Sequence, residues 1–76
     1  MDTEQVRALL RDGLPDCDVQ VQGDGSHFDI VLVGARFEGL TPVRRQQAVY
    51  SVLGPTIRSG AIHAVNIRAL TPAEAG

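Results

Sequence analysis

The sequence predicts a small α/β (α+β) domain in which helices cover a three-stranded mixed sheet. Its 76 residues are enough for one domain, so we assign residues 1 to 76 to a single unit. Two apolar runs with strand character lie on either side of residues 34 to 60, a segment of mostly helical pattern. A connection of that length is typical of a right-handed crossover between parallel strands. A glycine-rich turn before the first run indicates an antiparallel hairpin.

The chain begins with a predicted amphipathic helix over residues 3 to 12. Its apolar residues recur at intervals of three and four: Val6, Leu9 and Leu10. Asp2 or Thr3 can cap the first turn, since their side-chain oxygens accept hydrogen bonds from free backbone amides. Gly13 stands where a left-handed residue would end the helix.

Two strands are predicted next. Residues 17 to 22 alternate between apolar and polar side chains, as a half-buried strand does. Cys17 falls on the apolar side, and we interpret it as a small buried residue rather than a reactive thiol. Residues 23 to 26 have the composition of a hairpin turn. Residues 28 to 33 are apolar on both faces toward their end, which predicts the central strand.

The second half of the chain is predicted to cross over the sheet and return. Residues 34 to 40 form a connector, after which Thr41 caps a helix that has proline in its first turn. Pro55 is predicted to interrupt this helix, because proline lacks the amide donor and clashes with the preceding turn. A short second helix then spans residues 55 to 59.

Residues 61 to 70 form the third predicted strand, and Thr71 to Glu74 have the pattern of a helix start. The predicted order is helix, strand, strand, helix, helix, strand. It has a core over residues 3 to 70 and a short tail over residues 71 to 76.

The composition limits the classes of protein that this chain can belong to. Hydrophobic residues make up 43% and charged residues 21%, which is typical of a folded globular chain. No apolar run approaches the ~20 residues needed to span a bilayer, and the N-terminus lacks signal-peptide features. A single cysteine agrees with a reducing compartment. We therefore expect a cytoplasmic protein without a membrane partner, which is a monomer or weak dimer when isolated.

The two histidines are the candidate metal ligands. His27 and His63 stand at the starts of the two predicted parallel strands, so they should lie within one or two strand spacings of ~4.8 Å. Two imidazoles are half of a four-coordinate site, so a metal would have to be shared with a partner. Strand alternation points His27 away from the core, which makes it the weaker candidate. A buried, hydrogen-bonded histidine at the core edge is the alternative for His63.

No catalytic constellation is visible in the sequence. The chain has no serine or cysteine placed with a plausible base, and its carboxylates are scattered through loops and helix starts. The sequence also lacks the glycine-rich motifs that cradle nucleotide phosphates. We therefore predict that the protein is not an enzyme.

Five ordered segments resemble the BolA family, and more closely its short IbaG-like branch. They lie at Gly23 to Phe28, Phe37 to Gly39, Arg45 to Tyr50, Ile62 to Val65 and Thr71 to Glu74. The resemblance implies a fold like the class II KH domain. It also implies a role in iron-sulfur cluster handling, in a complex that shares a [2Fe-2S] cluster with a monothiol glutaredoxin. The isolated chain would bind no cluster.

The resemblance assigns His63 as one cluster ligand and makes His27 the available second one. The glutaredoxin cysteine and glutathione would supply the remaining thiolates. The alternative implied by the family is a DNA-binding regulator with a surface like a helix-turn-helix, connected with transcription and stress response. Arg44, Arg45 and Arg58 would then contact phosphates. The absence of lysine and a pI of 5.5 weigh against that alternative.

Overall fold

A computed structural model of the chain describes residues 1 to 25 and 27 to 76. It contains four helices and three strands in the described residues. In chain order they are α1 (Thr3–Gly13), β1 (Asp18–Asp24), β2 (His27–Val33), a 3-10 helix (Ala35–Phe37), α2 (Pro42–Arg58), β3 (Ala64–Leu70) and α3 (Pro72–Ala75). None of these helices is long and apolar enough to cross a membrane.

The sheet has the predicted mixed topology. β2 lies in the centre, antiparallel to β1 and parallel to β3, so the segment between β2 and β3 is a crossover as predicted. At the hairpin, Asp24 pairs with His27, and Gly25 has a φ of 58°. Ser26, the last residue of the predicted turn, lies outside the described residues. Gly23 is required one pair further back, because a Cβ there would lie 2.2 Å from the carbonyl oxygen of His27.

The core lies between one face of the sheet and the two long helices. Strand alternation sends Phe28, Ile30 and Leu32 of β2 to this face, where all three are buried. α1 contributes Val6 and Leu10, and α2 contributes Val49 and Leu53, each fully buried in the same cluster. Among the described residues, the opposite face of the sheet is mostly polar and carries Gln20, Gln22, His27, Asp29, Asn66 and Arg68.

α1 ends differently from the prediction. Asp2 caps the helix in a reciprocal capping box with Gln5, as one of the two predicted caps. Gly13, however, is the last helical residue and does not have a positive φ, so its role as a left-handed terminator is wrong. A Cβ at Gly13 would lie 2.7 Å from Cγ2 of Val52. The glycine therefore permits close contact between α1 and α2.

The predicted interruption of the second long helix is also wrong. α2 is continuous from Pro42 to Arg58 with Pro55 inside it, so there is no separate helix over residues 55 to 59. Proline in a helix interior costs ~3 kcal/mol through a lost hydrogen bond and a steric clash. Leu53 and Ile57, on either side of Pro55, both pack into the core, and this packing offsets the local cost.

The third strand is shorter than predicted. β3 begins at Ala64 rather than at residue 61, so His63 lies just before the strand. α3 follows the predicted helix start, with a capping box between Thr71 and Glu74. Thr71 is buried, and Glu74 forms an ion pair with Arg45, so the tail over residues 71 to 76 contacts the rest of the domain.

Candidate functional site

The two histidines meet where β2 and β3 begin. In the parallel register the Cα of His27 pairs with that of Ala64, and His63 is the residue before Ala64. The two backbones are therefore about one strand spacing of ~4.8 Å apart at this end of the sheet. This placement agrees with the prediction from the crossover.

Only one of the two imidazoles lines a depression of the surface among the described residues. His27 alternates with buried Phe28, so its exposed side chain lies on the open face beside Asp29, whose carboxylate accepts a 2.8 Å hydrogen bond from Asn66. His63 instead lines a depression at the edge of the sheet, between the start of β3 and Tyr50 of α2. His63 is two residues before Val65, so strand alternation would place it on the core face. His63 precedes the strand, however, and its side chain is exposed. The buried alternative for His63 is therefore wrong.

The depression beside His63 has a volume of about 330 Å³. Its remaining walls are mostly apolar. They come from α2, from Ile62 before β3 and from the first residues of β3: Tyr50, Ile57, Ile62, Ala64, Val65 and Asn66. Tyr50 is 39% exposed, whereas the other two aromatic rings, Phe28 and Phe37, are buried. The sequence carries one indication of this exposed ring. Tyr50 directly follows Val49 of the apolar stripe of α2 and so falls outside that stripe, where a polar residue is expected.

The donor set fits a shared metal group and does not fit a self-contained one. Within residues 1 to 25 and 27 to 76, no three His, Cys, Asp or Glu residues come together as a metal site. Neither imidazole has a hydrogen bond to another described residue, so the ring nitrogens of His63 are available to an external ligand. Imidazole replaces thiolate in some [2Fe-2S] centres, so the chemistry of this donor suits such a cluster.

Cys17 is not part of this site. Its side chain is buried in the core at the other end of the sheet, where Asp18 pairs with Val33. Burial raises the pKa of the Cys17 thiol, and the neighbouring Asp16 carboxylate raises it further. A Cβ at Gly34 would lie 2.6 Å from the Cys17 sulfur, so the thiol is tightly packed. The structure agrees with the interpretation of Cys17 as a buried packing residue.

The three arginines of the DNA alternative do not form one surface. Arg45 is held inside the fold, where its guanidinium donates to the carbonyls of Leu40 and Ala69, each at 3.0 Å, and to Glu74 at 2.6 Å. Its side chain is only 15% exposed. Arg44 and Arg58 are exposed but stand near opposite ends of α2, ~21 Å apart along its axis. The continuous α2 also contradicts a helix-turn-helix at this place, so we do not pursue the DNA alternative.

The ion pair between Arg45 and Glu74 makes the free energy of unfolding depend on pH. The hydrogen bond from Arg45, assisted by the backbone N–H of Thr71, lowers the pKa of Glu74 from 4.5 to about 2. A carboxyl group whose folded pKa is depressed stabilises the fold above its unfolded pKa, and this contribution is lost as the pH falls from about 4.5 to about 2. We expect Glu74→Gln to lower the urea midpoint at pH 7 and to leave it equal to wild type near pH 2. An NMR titration that places the Glu74 carboxyl near pH 4.5 would contradict this expectation.

The sequence matches a family model and several known proteins over most of its length. A family model described as BolA-like protein matches residues 7–74. The chain is 43% identical over 74 residues to the acid stress protein IbaG of Escherichia coli strain K12, covering 97% of this chain and 88% of the relative. It is 47% identical over 74 residues to an uncharacterized protein in the rpoN-murA intergenic region of Acinetobacter guillouiae, with 97% and 89% covered.

The three-dimensional structure is also similar to that of a known protein. The structure of a bolA protein homologue from Coxiella burnetii superposes with a TM-score of 0.87 at 34% sequence identity, covering 99% of this chain and 96% of that chain. The similarity therefore extends over nearly the full length of the chain, in sequence as well as in three dimensions.

Proposed function

The chain belongs to the BolA family, and from that premise we propose that it is a non-enzymatic adaptor that shares a [2Fe-2S] cluster with a monothiol glutaredoxin. The IbaG relative agrees with the branch indicated by the sequence segments. The adaptor role itself is supported by the chemistry of His63 and its surroundings. This role covers storage, transfer or sensing of the cluster in the cytoplasm.

The observation that carries the proposal is the exposure of His63 beside a mostly apolar depression. An imidazole in such a place can be reached by a metal centre that a second protein holds. With two histidines at most, this chain supplies half of the four ligands that a [2Fe-2S] cluster takes. The glutaredoxin cysteine and the thiolate of glutathione complete the set in this proposal.

Each side chain at the site has a definable task. His63 binds as neutral imidazole, because a protonated ring has no free lone pair for a metal. Tyr50 and Ile57 wall the depression on the side of α2 and exclude water from the neighbourhood of the ligand. His27, on the open face, is the candidate second ligand, and that role stays a prediction. When bound, the cluster supplies the electron-transfer and sulfide chemistry that this chain lacks.

The proposal is tested by titrating a reconstituted, cluster-loaded monothiol glutaredoxin with this chain. Visible absorption and circular dichroism should change and saturate at one chain per cluster, since imidazole replaces a thiolate ligand and alters the charge-transfer bands. The matched control is the same titration with the His63→Ala variant, which lacks the imidazole. A visible spectrum that does not respond to the chain at pH 7.5 would contradict the proposed function.

A further inference from the structure

The outer edge of β3 has no neighbouring strand among the described residues. The carbonyl of Leu70 accepts a 2.9 Å hydrogen bond from Gly34, the residue after β2. Because N–H and C=O groups alternate in direction along a strand, every second residue from Ala64 bonds to β2. The backbone groups of Val65, Ile67 and Ala69 therefore point outward. An edge of this kind is a template for an additional strand.

The end of this edge near Leu70 is closed. The outward carbonyl of Ala69 accepts a 3.0 Å hydrogen bond from the Arg45 guanidinium. Arg45 and Pro42 of α2 also line the hollow along Ile67 to Leu70. A long side chain that occupies edge acceptors is one way in which proteins prevent strand addition. Arg45 thus protects one half of the edge.

The half nearer His63 is open. No hydrogen bond to a side chain reaches Val65 or Ile67 in the part of the chain that the structure describes. The depression beside His63 is lined by residues 62 to 66 and by α2, with no residue of β2, so it opens on this edge and not on a sheet face. A strand added here would place alternate side chains against Tyr50 and Ile57.

The backbone spacing, apolar wall and charge of the open half of the β3 edge indicate which kind of peptide segment it would bind. Outward groups at Val65 and Ile67 repeat every ~6.6 Å, a spacing that an extended peptide backbone matches. The mostly apolar wall around Tyr50 suits one apolar side chain of that peptide. Two exposed arginines are the sequence neighbours of residues in this stretch, Arg58 next to Ile57 and Arg68 next to Ile67, and their positive charge favours a neutral or acidic segment over a basic one.

We infer that an extended, neutral or acidic segment of the partner protein adds to the open half of the β3 edge as a fourth strand, with an apolar side chain beside Tyr50. The inference rests on the proposed function for the identity of the partner, which is the glutaredoxin. It adds a docking surface that does not depend on the cluster. The added strand runs directly past His63, so docking would bring the partner's metal centre to the imidazole.

Hydrogen exchange of single backbone amides tests this inference with cluster-free glutaredoxin as the probe. In the free chain the amides of Val65 and Ile67 should exchange fast, while those of Asn66 and Arg68, bonded to β2, exchange slowly. Addition of the glutaredoxin should slow the Val65 and Ile67 amides at least about tenfold. The Asn66 and Arg68 amides serve as internal standards and should not change.

A pair of α2 variants tests the side-chain part of the inference. Tyr50→Ala should raise the Kd of the cluster-free complex by about tenfold or more, as expected for an interfacial aromatic anchor. Val43→Ala is the matched control, because Val43 is 66% exposed on the same helix and does not line the depression. Its Kd should equal that of wild type. Equal effects of the two variants would overturn the assignment of the depression.

The possible outcomes separate this inference from the proposed function. A cluster spectrum that responds to the chain, with no protection of Val65 and Ile67, overturns the docking inference alone. Protection by cluster-free glutaredoxin without any spectral change supports docking and overturns the cluster role. Protection that grows with the concentration of the chain itself, without glutaredoxin, assigns the edge to a second copy and overturns the inference. Absence of both protection and spectral change overturns both.

Discussion

His63→Ala is expected to abolish the visible spectrum of the complex with glutaredoxin while the chain stays folded. The imidazole is exposed and makes no hydrogen bond to another described residue, so its removal should change the free energy of unfolding by no more than about 0.5 kcal/mol. The cluster, in contrast, loses one of its four ligands in the proposed complex. Far-UV circular dichroism and a urea titration check the fold, and visible absorption checks the cluster.

Two further substitutions sharpen this expectation. His63→Cys restores a metal ligand and should recover a cluster with a lower reduction potential, because imidazole ligation raises the potential of [2Fe-2S] centres relative to thiolate ligation. A purely structural histidine would not be rescued in this way. His27→Ala is the matched deletion of the other imidazole, and an equal loss would identify His27 as the second ligand. A wild-type spectrum with His63→Ala would contradict the proposed role.

The sheet and its order could be predicted because the sequence carries both relevant signals. The two-residue period marks the strands, and the length of residues 34 to 60 is enough for a crossover and too long for a hairpin. The position of His63 next to β2 follows from that topology. The orientation of its ring could not be predicted, since His63 precedes β3 and strand alternation does not apply to it.

The errors occurred where tertiary packing outweighs a local preference. Pro55 disfavours a helix locally, but no sequence pattern shows that Leu53 and Ile57 gain enough from the core to keep α2 continuous. Gly13 has the composition of a helix terminator, while its actual role depends on Val52, which is distant in sequence. In both cases the deciding contact is with another element.

The role of Arg45 also depends on contacts with residues that are distant in sequence. In the sequence it is one of two adjacent arginines on a helix, which is compatible with phosphate contacts. Its partners in the structure are the Ala69 carbonyl and Glu74, 24 and 29 residues further along the chain. A sequence-based prediction has no means of pairing groups at that separation from one chain alone.

Phe37 was not predicted to be a core residue, and its substitution should have the largest effect on folding. The 3-10 helix over Ala35–Phe37 inserts this ring into the core, where it is the largest of the fully buried side chains. Phe37→Ala should cost about 3 to 5 kcal/mol through lost burial and an unfilled cavity. A chain of 76 residues has a total stability of only about 4 to 11 kcal/mol. The substitution therefore removes at least about a quarter of the total stability and, at the upper end of these ranges, more than half.

Thermal unfolding measures this effect directly. A loss of that size should lower the melting temperature of Phe37→Ala by about 12 °C or more, because each kcal/mol shifts a domain of this length by about 4 to 8 °C. Val43→Ala, an exposed truncation on α2, is the control and should melt within a few degrees of wild type. If Phe37→Ala melted as the control does, the 3-10 helix would not be part of the core.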